Sequence, residues 1–131
     1  MKITFCYSDG GRSLAGYLGK TKDCVSRSLA IITRLPYIEV YQKINELSKI
    51  AGCKSSNRKG VYPATMTLVN QYLSSLGFRF VETSNVHNLP NGELIVRFER
   101  HFAAVVNGET RDTFDSFKSG KRKMVGYFIK S

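Results

Sequence analysis

A cysteine, a histidine and one of two aspartates are the side chains whose types and spacing in this sequence suit covalent chemistry. Cys24 follows Asp23 and opens "DCVSRSLAIITR", where Val25, Leu29 and Ile32 recur at helical spacing. That places the thiol in the first turn of a helix, where free backbone N–H groups and the macrodipole favour a thiolate. On a helical wheel Cys24 lies off the Val25/Leu29/Ile32 face, so its sulfur is expected in a cleft, and Asp23 is expected to cap the helix. A nucleophilic thiol needs a base, and the chain has 2 histidines. His87, in the polar "SNVHNLPNG", reads as an exposed loop residue. His101 opens the apolar run "HFAAVV", a position expected to be solvent-reachable yet held by sheet geometry, which suits a general base. The segment "HFAAVVNGETRDTFD" reads as a hairpin turning on Asn107-Gly108. A two-residue turn puts Asp112 on the face of His101, whereas a three-residue turn puts Asp115 opposite it, and a slip of one residue swaps the faces. The plainer reading of the same residues is a buried structural cysteine and a surface histidine.

The neighbouring "GKT" at Gly19-Lys20-Thr21 suggests a phosphate loop, and the spacing rejects it. A phosphate loop needs G-x-x-x-x-G-K-[ST], and the position of the first glycine is held by Leu14. The chain also lacks the alternation of strands and helices that a nucleotide-binding parallel sheet requires.

The elements that must position these groups are legible along the chain. "KITFCY" is a first strand, closed by the turn signal "SDGGRS". A helix runs from Asp23 to about Arg34 and stops before Pro36. A second spans 37–51 with Val40, Ile44 and Leu47 on one face, and a third spans 64–76 with Gly77 as its C-terminal cap. Beyond Gly77, "FRFVET", "ELIVRF", "HFAAVV", "TRDTFD" and "KMVGYFI" are short runs rich in β-branched and aromatic residues, separated by "PNG", "NG" and "KSG". Helices first and an antiparallel sheet afterwards spell α+β in one domain covering 1–131.

Composition bounds the function. A chain of 131 residues, 42% hydrophobic, with 8 Phe and 7 Tyr, can bury one core and is not disordered. No apolar run has membrane-spanning length, and "MKITFCYSDGG" lacks the hydrophobic stretch of a signal peptide, so the expected location is cytoplasmic with no membrane partner. An odd set of 3 cysteines argues against a disulfide framework, and no paired Cys/His spacing supports a metal site, so no cofactor is expected. With 20 Lys and Arg against 10 Asp and Glu, the net charge of +10 favours anionic partners. The local clusters "KSSNRKG" at 54–60 and "KSGKRK" at 118–123 read first as solvated loops, and otherwise as contacts for nucleic acid or an acidic host protein.

"DCVSRSLAIITRLPYIEVYQKI" at 23–44 resembles the opening of small phage and bacterial proteins of the papain-like cysteine peptidase class. In those, Asp-Cys opens a helix that ends in a turn of the form Thr-x-x-Pro-Tyr-x-x-Val-Tyr, matched here by Thr33, Pro36, Tyr37, Val40 and Tyr41. "LPNGELIVRFERHFAAVVNGETRDTFDS" at 89–116 is similar to their histidine strand and acidic return strand, and "KSGKRKMVGYFI" to their closing strand. The resemblance implies a papain-like α+β fold with Cys24 as nucleophile, His101 as base and Asp115 as the orienting acid, with Asp112 second. It implies a cysteine peptidase, isopeptidase or amidase acting on a polypeptide or amide substrate in a host cytoplasm. The sequence departs from that class at Leu18, where papain-like enzymes carry the glutamine that donates to the oxyanion. The Cys24 amide, helped by Thr21 or Lys22, would then serve. The competing expectation is a basic binding protein of the same fold without catalysis.

Overall fold

The computed structural model describes residues 3–17, 23–52, 63–99, 101–113, 117 and 123–130. Among the described residues, Leu18, the Gly19-Lys20-Thr21 run, Cys53, the first basic cluster, Asp115 and all of the second cluster except Lys123 have no place.

The chain begins with strand β1 (Thr4–Tyr7), followed by helices α1 (Cys24–Thr33), α2 (Tyr37–Ile50) and α3 (Pro63–Ser75). Strands β2 (Phe78–Glu82), β3 (Glu93–Phe98), β4 (His101–Val106), β5 (Glu109–Asp112) and β6 (Met124–Lys130) complete it, with a 3-10 turn at Val86–Asn88. The six described strands form one sheet in the order β1-β5-β4-β3-β6-β2. The result is a small α+β domain of helices packed on a sheet. No described helix is long and apolar enough to cross a membrane.

The sheet corrects one expectation. The strands after Gly77 pair antiparallel, but β1 adds to β5 in parallel, with Thr4 opposite Glu109 and Tyr7 opposite Asp112. The sheet is therefore mixed. A strand from the start of the chain needs no local turn to reach that edge, so no local signal announces its direction.

Local chemistry explains the helix limits. Arg34 takes a left-handed conformation (φ 61°) and its N–H returns to the Ala30 carbonyl, closing α1. Pro36 (φ −55°) stands just ahead of α2, and its carbonyl accepts from the Val40 N–H at 3.2 Å. Gly77 (φ +91°) ends α3 as expected. The stripes Val25/Leu29/Ile32 and Val40/Ile44/Leu47 meet Met66, Val69 and Leu73 of α3 over Phe102, Ala104, Ile95 and Phe128 of the sheet. A second layer, with Leu94, Val96, Ala103 and Val105, fills the other face, as the two-residue period of a strand requires.

Candidate active site

Three elements bring the candidate residues together. Cys24 is the first residue of α1, as the apolar spacing predicts. His101 is the first residue of β4, and Asp112 is the last of β5. The β4–β5 turn is the two-residue form, with Val106 opposite Glu109 and both Asn107 (φ 49°) and Gly108 (φ 79°) left-handed. Of the two registers open in the sequence, this one places Asp112 on the face of His101. His101 Nε2 and Asp112 Oδ2 lie 2.6 Å apart. The Cys24 thiol lies near enough to the same imidazole to add to the pull that raises its pKa. Asp115, the acid that the resemblance favours, lies outside the described residues. His87 is exposed on its 3-10 turn, as expected.

The surroundings shift both partners toward the charged form. Burial pulls the His101 pKa down, but hydrogen bonds to Asp112 and Cys24 and their charges outweigh it, so the ring titrates above its ordinary value. Burial likewise raises Asp112, and the His101 hydrogen bond and charge, the Thr113 N–H and the Arg27 cation together hold it below the usual carboxylate range. A carboxylate against Nε2 fixes the tautomer in which Nε2 carries the proton and Nδ1 is free to accept one.

Two expectations about exposure are corrected. Cys24 is 5% exposed and His101 3%, so neither stands in an open cleft or in solvent-reachable space among the described residues. A helical wheel gives only the position of the sulfur relative to the apolar stripe, whereas α1 packs against α2 and also against β3, β4 and β5, and none of its residues is exposed. A third expectation fails in detail. Asp23 makes no capping hydrogen bond with its side chain. Its carboxylate instead accepts from Arg27 Nη1, the Tyr37 hydroxyl and Arg12 Nη1.

The sequence patterns assign no site role to those three partners. Arg27 Nη2 also donates to Asp112 Oδ1 at 3.3 Å, so one guanidinium spans both carboxylates. Its signal is the i,i+4 spacing of Asp23 and Arg27 at the start of α1. Tyr37 appears in the turn pattern but carried no assigned role. Burial and the hydrogen bond to Asp23 push its hydroxyl pKa well up. Arg12 Nη1 reaches the Tyr37 hydroxyl at 3.1 Å from the N-terminal loop, and nothing local announces that contact. A cavity of about 620 Å³ lies elsewhere, walled by Ile3, Val86, His87, Phe98, Phe117 and Met124 among others, and none of Cys24, His101 or Asp112 lines it. Its size does not make it the site, because the chemistry is not there.

Comparison with family models, curated proteins and solved structures returned no match for this chain.

Proposed function

We propose that this chain is a papain-like cysteine peptidase, or a thiol acyl hydrolase of the same chemistry such as an isopeptidase or amidase. The observation that carries the reading is one imidazole held between a carboxylate at 2.6 Å from Nε2 and a thiol at the start of a helix. In this reading Nδ1 of His101 takes the proton of Cys24 Sγ, and the thiolate attacks the substrate carbonyl carbon. The tetrahedral oxyanion receives the Cys24 N–H, one of the first-turn amides that have no place in the helical ladder. The imidazolium then protonates the leaving amine, giving a thioester. His101 next deprotonates a water, which attacks the thioester and releases the acid and the free thiol. Asp112 holds the ring in its tautomer and stabilises the imidazolium without itself taking the proton.

The test is a burst assay with p-nitrophenyl acetate, whose ester carbonyl gives a thioester and one equivalent of nitrophenolate per active thiol. The expected result is a burst that disappears in Cys24→Ala and persists in Cys6→Ser. A burst that survives Cys24→Ala overturns the reading.

The second reading is a non-catalytic protein of the same fold, and the burial of Cys24 and His101 favours it. In that case iodoacetamide at neutral pH labels Cys24 no faster than the exposed Cys6.

A further inference from the structure

Arg27 stands one helical turn beyond Cys24 and is 6% exposed. Its two terminal nitrogens are divided between two carboxylates, one on its own helix and one on β5. The division matters for Asp112. A carboxylate can turn about its Cβ–Cγ bond, and one oxygen must be fixed if the other is to stay on His101. Here Oδ1 accepts from the Thr113 N–H at 2.7 Å and from Arg27 at 3.3 Å, while Oδ2 faces the ring. A lone cation at that place would weaken the imidazolium. Asp23, 0% exposed, offsets it, and Arg12 and Tyr37 hold Asp23 in turn.

The N-terminal segment braces the same groups. The Ser8 N–H donates to the Asp112 carbonyl at 2.9 Å. Gly10 (φ +68°) lies so close to α1 that a Cβ there would stand 2.7 Å from the Arg27 carbonyl oxygen. The backbone of the guanidinium's residue and that of the acid are therefore clamped by one strand and its loop.

We propose that Arg27 and Asp23 are positioning residues for the thiol–imidazole pair: Arg27 orients Asp112 on His101, and Asp23 cancels the charge that Arg27 brings. The proposal rests on Cys24 and His101 acting as nucleophile and base. Among the described residues, the charged and titratable groups acting on His101 are Cys24 on α1 and Asp112 on β5; Arg27 of α1 bears on Asp112, and Asp23 at the start of α1 on Arg27. Arg12 of the loop and Tyr37 of α2 stand behind them.

The experiment follows the iodoacetamide alkylation rate of the Cys24 peptide against pH by mass spectrometry, with a thermal melt of each variant. In the parent protein the rate rises with pH along a limb that His101→Ala displaces. Arg27→Gln leaves an uncancelled carboxylate, so the limb moves to higher pH, by about one unit for a unit charge at this remove in a medium of intermediate dielectric. Asp23→Asn leaves an uncancelled cation and moves it to lower pH by a similar amount. The double variant returns it close to the parent position. Should Arg27→Gln fail to fold, Arg12→Gln removes a cation from the same carboxylate at a side chain that is 12% exposed, and moves the limb the same way by less. Folded variants whose limbs stay in place, or all move in one direction, overturn the proposal and make the network structural only. A parent limb that His101→Ala does not displace overturns the underlying reading of Cys24 and His101 as well.

Discussion

Helices α1 and α2 carry similar apolar stripes in sequence and have opposite fates in the fold. In α2, Val40, Ile44 and Leu47 are buried while Glu39, Gln42, Glu46 and Lys49 face solvent, as an amphipathic helix should. In α1 no residue is exposed; Asp23 just ahead of it is as buried as Leu29, and Arg27 in its first turns is buried too. Charges taken out of water cost several kcal/mol each unless they are paired, and a buried pair seldom repays that cost in stability. Packing of α2 accounts for its Val40/Ile44/Leu47 stripe and its exposed charges. Packing of α1 leaves Asp23, Arg27 and the polar neighbours of Cys24 without a purely structural benefit, and that is what makes its first turn the place to look for function.

The contrast can be broken most sharply at Asp23. Asp23→Ala leaves the buried Arg27 guanidinium with Asp112 alone and takes the shared carboxylate from Tyr37 and Arg12, and should cost about 3–5 kcal/mol in urea unfolding, as breaking a buried pair does. A loss below 1 kcal/mol, roughly a surface value, would mean that the pair is open to water. Gly10→Ala comes next. Its φ of +68° and the Arg27 carbonyl 2.7 Å from the new Cβ lead to a loss of roughly 1–3 kcal/mol by the same measurement. On α2 the equivalent probe is small. Glu46→Ala removes a 3.7 Å contact with Lys43 between exposed side chains and should cost less than about 0.5 kcal/mol.

Stability against pH probes the buried groups beside α1 without a mutation on that helix. The folded pKa of Asp112 is lowered, so its contribution is present above the unfolded carboxylate value of 3.8 and is lost as pH falls through the folded value. The folded pKa of His101 is raised, so its contribution is fully present below 6.5 and is lost as pH rises through the folded value. Urea midpoints should therefore decline on the alkaline side, and His101→Gln should flatten that decline. An unchanged alkaline slope would show that His101 gains nothing from its partners on folding.

What the sequence revealed and what it concealed divide along the same line. Short-range signals were reliable: the stripe Val40/Ile44/Leu47, Gly77 after α3, and Asn107-Gly108, whose two-residue turn settles which face Asp112 takes. Cys24 and His101 were legible because each opens an element whose period is plain. The burial around them was not, because it depends on contacts between distant segments. β1 arrives beside β5, Gly10 presses on Arg27, and Arg12 crosses to Asp23 and Tyr37. No local period encodes a parallel edge strand or a loop that seals a helix end. The capping position of Asp23 misleads for the same reason: its partners lie in other elements or a turn further along α1.

The proposed activation of the Cys24 thiol by His101, held by Asp112, stands or falls with the alkylation rate of Cys24 at neutral pH. The expected result is that iodoacetamide modifies Cys24 faster than the exposed Cys6 despite its burial, that His101→Ala slows this by about tenfold or more, and that Asp112→Asn slows it by less. A Cys24 that reacts more slowly than Cys6 in the parent protein and is indifferent to His101→Ala would contradict it, and would make the cysteine part of the core.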